Sequence, residues 1–194
     1  MAVTTSHEPT RRHLTAPQAD KVDRLVDAAQ VELRAHGYEG LTVRNAARRA
    51  GVAPATAYTY FASKDHLITE VFWRRVQALP EVSVDGRRTP VARVAAALRD
   101  VALLVAGEPE LATACTTAVL ANDADVRRLR DRIGSAVSQR LADALGDDAD
   151  PATLRALGLA CSGAMLQAGM GYFAYTEVAD RMEEVARLVF EHRG

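Results

Sequence analysis

The sequence predicts an all-α fold of about nine helices, a small three-helix unit followed by a larger helical domain. Three observations carry this. Apolar residues recur at three- and four-residue spacing along almost the whole chain, and no stretch alternates in the manner of a strand. Capping residues, prolines and glycines punctuate that pattern at helix-length intervals. The composition changes at a Pro- and Gly-containing stretch, Pro80 to Pro90, which reads as a loop between two units.

Taken in order, Val22, Leu25, Val26, Ala29 and Leu33 mark a first helix that Gly37 ends. Thr42 is an N-cap for a short second helix whose apolar positions Val43, Ala46, Ala47 and Ala50 run up to Gly51. The third helix starts at Val52-Ala53-Pro54, with proline where a first turn tolerates it, and reaches about Phe61. Ser63 caps a fourth helix, striped by Leu67, Ile68, Val71 and Phe72, that extends to about Leu79. Beyond the loop, helices are expected at about Val91 to Ala106, Pro109 to Ala121, Asp125 to Leu145, Ala152 to Tyr175 and Glu177 to His192. Asp123 or Ala124 precedes the third of these, and Asp150-Pro151 is a strong start signal for the fourth. Residues 1–18, polar and Pro-containing, read as a flexible N-terminal arm, 19–66 as the first domain and 67–194 as the second.

Helices as short as the second and third bury too little apolar surface to stand alone, so they need the first helix behind them. Val26, Leu33, Leu41, Ala47, Val52 and Phe61 are the expected small core. Gly51 falls where the chain must reverse between them, at a position that favours positive φ. That arrangement is a helix-turn-helix, whose second helix enters the major groove of DNA.

Charge agrees. The net charge of −1 conceals nine Lys/Arg against six Asp/Glu in residues 1–64, and fifteen against nineteen in 65–194. From Gly40 to Lys64 there is no acidic residue, while Arg44, Arg48, Arg49 and Lys64 are present, a local positive field suited to a polyanion. The outward face of the third helix, Pro54, Ala55, Thr56, Tyr58, Thr59 and Tyr60, is uncharged and able to approach base edges closely. Thr42 with the first amides of the second helix, Arg44 and Lys64 are the expected phosphate anchors on either side.

The stretch from Gly37 to Val43, continuing through Ala47-Arg48-Arg49-Ala50-Gly51-Val52, Thr56-Ala57-Tyr58-Thr59-Tyr60-Phe61 and Ser63-Lys64-Asp65-His66-Leu67, closely resembles the tetracycline-repressor (TetR) family. The match covers about residues 22–72. The resemblance implies a three-helix DNA-binding domain, a larger ligand-binding and dimerisation domain, and a contact set of Thr42, Arg44, Thr56, Tyr58, Thr59, Tyr60 and Lys64, to which the groove-facing Pro54 is added. It also implies a homodimer on a palindromic operator. The chain departs from the family pattern at Ala46 and Ala57, where a large aliphatic is usual, and at Ala53, where a serine cap is usual; these changes are expected to thin the core and remove a cap.

Sequence signals for the second domain are weaker. The helix from Ala152 is rich in Gly, Ala and Ser, which permits close helix approach, and the last helix carries Val178, Met182, Val185, Leu188 and Val189 on one stripe. The two together are the expected dimer face, an intramolecular helix pair being the alternative. Phe72, Trp73, Leu103, Cys115, Met165, Gly169, Tyr172 and Phe173 are candidates to line a pocket for a small, mostly apolar effector, with ordinary core packing as the alternative.

The five histidines are scattered and no glycine-rich phosphate loop occurs, so no cofactor, metal or catalytic site is expected. His66 is expected to face solvent near the DNA backbone. Cys115 and Cys161 read as buried free thiols. The absence of a membrane-spanning stretch and of an apolar leader predicts a cytoplasmic protein without membrane contact. A helical enzyme, with clustered acids only at Asp147, Asp148 and Asp150, and a DNA-binding protein without effector response are the competing readings.

Overall fold

The computed structural model describes residues 14–82 and 86–191, and these form nine α-helices with no strand among them. They are α1 (Ala16–Gly40), α2 (Val43–Arg49), α3 (Pro54–Tyr60), α4 (Lys64–Gln77), α5 (Pro90–Ala106), α6 (Pro109–Val119), α7 (Ala124–Leu145), α8 (Pro151–Gly169) and α9 (Val178–Glu191). The all-α expectation and the order of elements hold. Residues 1–13, most of the expected arm, lie outside the described residues together with His7, His13 and His192. The helix itself begins earlier than the expected domain start at residue 19, with Gln18 Oε1 accepting from Thr15 N at 2.9 Å ahead of Ala16.

Start signals read from the sequence act as side-chain caps. Ser63 Oγ accepts from His66 N at 3.0 Å. Asp123 Oδ1 accepts from Asp125 N at 2.7 Å, and Asp150 Oδ1 from Ala152 N at 2.9 Å. Each satisfies amides that a helix start leaves open. Gly37 breaks α1 with a φ of 64°, leaving one further turn to Gly40.

One helix differs substantially. The fourth helix of the larger unit, expected to run to Tyr175, stops at Gly169, and Gly171 turns the chain with a φ of 84° before a short 3-10 turn at Tyr175–Glu177. The apolar residues beyond Gly169 kept the helical spacing, but two glycines within three positions cost helix stability there. Gly169 is also where α8 crosses α6: a β-carbon at that position would overlap the Thr116 side chain.

Two apolar cores hold the molecule. The first gathers all six residues expected in the small core, Val26, Leu33, Leu41, Ala47, Val52 and Phe61. It does not stop at the three-helix unit: through Leu67, Ile68 and Val71 of α4 it continues into Leu111, Ala114 and Ala118 of α6. Ala46 and Ala57 are fully buried within it, so the small side chains expected to thin the core are closed over by their neighbours. The second core joins α5, α7, α8 and α9 through Val94, Leu98, Leu141, Leu157 and Met182.

Candidate nucleic-acid interface

α1, α2 and α3 place the candidate interface. The turn between α2 and α3 is closed by Val52 N donating to Ala47 O at 2.9 Å and Gly51 N to Arg48 O at 3.3 Å, with Gly51 at a φ of 65°. This pair of bonds satisfies the last carbonyls of α2 and requires the left-handed backbone that glycine adopts most easily. Arg24 of α1 donates to Ala50 O at 3.0 Å and fixes the turn against the first helix.

On α3, Pro54, Ala55, Tyr58 and Thr59 are exposed, whereas Thr56 and Tyr60 are half-buried and Tyr60 packs against the first core. Tyr58 is 51% exposed. Thr59 donates its hydroxyl hydrogen to Thr56 O at 2.6 Å, which leaves its methyl and lone pairs outward. As expected, Ala53 supplies no side-chain cap.

The flanking anchors are more constrained than the sequence suggested. Thr42 accepts from Asn45 N at 3.1 Å while Asn45 Oδ1 accepts from Thr42 N at 2.8 Å, so the Thr42 hydroxyl is engaged as a cap. Asn45, which sequence reasoning passed over, also donates to Gly40 O at 2.7 Å; its place three residues after Thr42 was the available signal. Arg44 and Arg48 project from α2 into solvent, and neither has an ion-pair partner among the described residues. Arg49 is committed to the buried Glu32 at 2.5 Å. Lys64 lies over the Tyr38 ring, 3.8 Å from its centroid, and donates to Tyr38 O at 3.1 Å. Tyr38 in turn donates to Asp65 Oδ1 at 2.6 Å, and burial and that carboxylate push its hydroxyl pKa well up. Tyr38 therefore positions Lys64, a role its place in the motif did not reveal.

His66 overturns its expectation. It does not face solvent: it packs edge-on against Phe61 with ring centroids 5.2 Å apart, beneath the start of α7. Its Nδ1 has no hydrogen bond and lies 3.8 Å from Asp125 Oδ2. Asp125 of α7, on the other side of the ring, lies 59 positions along the chain, where no local pattern shows it. Burial lowers the imidazole pKa below 6.5, against the raising influence of Asp125, Asp123 and Glu70. The unfolded chain then takes up a proton that the folded one resists, so stability falls as pH drops below about 6.5. Melting temperatures measured between about pH 7.5 and 5.5 are expected to decline, and His66→Gln is expected to flatten the decline.

The eight expected pocket residues are divided between the two cores and the surface. Phe72 packs on the first core and Cys115 lies within it, whereas Met165 and Phe173 pack on the second. Trp73 is half-buried on α4, and Gly169 faces Thr116. Leu103 and Tyr172 are exposed on this chain, Tyr172 at 76%. A polar pair that sequence reasoning missed, Tyr175 Oη and Thr116 Oγ1 at 3.0 Å, stands where the two cores meet. Cys115 and Cys161 are both buried free thiols, with pKa values pushed by burial up to about 12 and about 11. No helix of the described residues is long and apolar enough to cross a membrane.

Residues 25–71 match the family model described as bacterial regulatory proteins, tetR family. The chain is 46% identical over 193 residues to an uncharacterized HTH-type transcriptional regulator of Mycobacterium tuberculosis, covering 93% of this chain and 90% of that one. It is 27% identical over 177 residues to the HTH-type transcriptional repressor KstR of Rhodococcus jostii, covering 89% and 84%. Among solved structures, a TetR transcriptional regulator from Rhodococcus sp. RHA1 superposes with a TM-score of 0.75 at 21% identity, over 93% of this chain and all of that one. The multidrug binding protein EbrR complexed with proflavin superposes with a TM-score of 0.58 at 26% identity, over 87% and 99%.

Proposed function

Because the chain belongs to the tetR family of bacterial regulatory proteins, we propose that it is a repressor whose homodimer reads a palindromic operator with two copies of α3. Release follows when a small, mostly apolar molecule enters the helical domain beyond α4. The observation that carries the DNA-binding part is the face of α3: exposed, uncharged, bearing Tyr58, and flanked by Arg44 and Arg48 on one side and Lys64 on the other. Uncharged groups approach base edges while the cations meet phosphates. The two reading helices of a dimer then occupy successive major grooves about 34 to 36 Å apart.

The outer sides of α8 and α9 support the dimer. Leu159 and Leu188 are 77% and 58% exposed, and β-carbons at Gly158 and Gly163 would meet nothing within 4 Å. The expected stripe on α9 is divided: Val178 and Met182 turn into the second core, while Leu188 points outward. Burying outward leucines against a twin is favourable at about 25 cal/mol per Å² of apolar surface. The proflavin complex of EbrR supports a ligand in this fold, and the uncharged stretches of α5 and α6 favour an apolar one.

A gel shift with the DNA flanking the chain's own gene tests the first part. A retarded complex is expected at low salt, with log affinity falling against log salt at about −0.9 per phosphate neutralised. Absence of a complex, or a nearly flat salt dependence, overturns the reading. For the effector, a thermal-shift screen of apolar metabolites is expected to find one that raises the melting temperature and dissolves the complex.

A further inference from the structure

Where the three-helix unit meets the rest of the chain, two arginines converge on one carboxylate. Glu108 precedes α6, but its side chain makes no capping bond. Instead Oε1 pairs with Arg75 Nη1 of α4 at 2.6 Å, and Oε2 with Arg34 of α1, at 2.8 Å to Nη2 and 3.0 Å to Nε. Arg75 also donates to Leu104 O, at the end of α5, and to Gln30 Oε1 of α1, both at 2.8 Å. The Arg75 hydrogen bond foremost holds the Glu108 carboxyl below its ordinary range, against a raising effect of burial. One carboxylate thus grips α1 and α4 together from the α5–α6 corner.

We propose that Glu108 is a positioning residue that fixes the angle of the three-helix unit on the larger one, and so sets the half-site spacing that the dimer accepts. The apolar core running through this seam supplies cohesion, but the hydrophobic effect is non-directional and does not by itself favour one angle. Directional bonds have to set the angle. A second bond acts at the far end of α4, where Ser63 Oγ donates to Asp123 Oδ2 at 2.9 Å and joins the start of α4 to that of α7. Ser63 and Arg75 are about 18 Å apart along the helix at 1.5 Å per residue, so a slip of about 1 Å at the Glu108 end tilts α4 by about 3°. Both units of a dimer carry that tilt to their reading helices. Because the carboxylate rides on α6, which meets α8 at Gly169 and Thr116, a shift of α6 reaches α1 and α4 at once.

The inference rests on the dimeric reading above, and its test separates the two. Half-sites are first selected from random duplexes with the wild-type protein. Affinity is then measured on a single half-site, and on paired half-sites whose spacer changes one base pair at a time. Wild type is expected to lose at least about tenfold for a step off its optimum. Glu108→Ala, which sacrifices no cap, is expected to lose less than about threefold, with single-half-site affinity within about twofold of wild type. An unchanged spacing profile in the variant overturns the inference. So does an equal loss on every duplex, single half-site included, which is the mark of general structural damage. Should Glu108→Ala not fold, Arg34→Gln, whose side chain is about half in solvent, takes the same measurement, and either of those two results again overturns the inference. A wild type indifferent to spacing overturns the dimeric reading itself.

Discussion

Tyr58→Ala is expected to weaken operator binding by about ten- to a hundredfold, the range of a lost base-edge or groove contact, while leaving the melting temperature within about a degree of wild type. The separation follows from its place. Half of its surface is in solvent, no described neighbour bonds its hydroxyl, and the core beneath α3 is filled by Ala57 and Phe61 instead. Lys64→Ala differs in kind. Its ammonium is held over Tyr38, so removal weakens binding to all sequences alike and reduces the salt slope by about 1, as for a phosphate contact. Anisotropy titrations of both variants at several salt concentrations, beside their melting curves, check this. Wild-type affinity in Tyr58→Ala would remove α3 from the interface.

Leu67→Ala is expected to have the largest effect on stability, about 2 to 5 kcal/mol. Leu67 is fully buried at the start of α4, within the core shared by α1, α2, α3 and α6. The truncation removes contacts on several sides and leaves a void at the helix start that the Ser63 side chain caps. For a chain of this size the melting temperature should fall by roughly 5 to 15 °C, at fixed protomer concentration. Trp73, the single tryptophan, lies on the same helix, so its fluorescence reports the seam while far-UV circular dichroism reports the whole. The two transitions are expected to coincide, because one core spans the seam. An early fluorescence transition would show the seam opening first.

Much of this architecture was legible because it is encoded locally. Thr42, Ser63, Asp123 and Asp150 announce helix starts within four residues of the amides they cap, and Gly37 and Gly51 mark reversals by a backbone requirement. Of the six residues expected on the outward face of α3, Pro54, Ala55, Tyr58 and Thr59 are exposed, whereas Thr56 and Tyr60 are half-buried against a core that the seven-residue pattern does not show. What escaped depends on distant partners. His66, expected in solvent near the DNA backbone, is instead covered by α7. Tyr38 reaches 27 residues to Asp65, and Glu108 reaches 74 residues back to Arg34. The end of α8 was missed for a related reason: apolar spacing continued, and the close crossing at Thr116 that calls for Gly169 is visible only in three dimensions.

The core that passes without interruption from α1 through α4 to α6 bears on how such a chain can diverge. A recombination joint after residue 66 would set Leu67, Ile68 and Val71 from one parent against Leu25, Leu33 and Leu41 from another, in a space packed too closely to accept arbitrary partners. On the proposed function, exchanging the three-helix unit alone is therefore expected to cost stability as well as alter binding. A functional chimera would have to carry α4, and the α6 face beneath it, along with the reading helix.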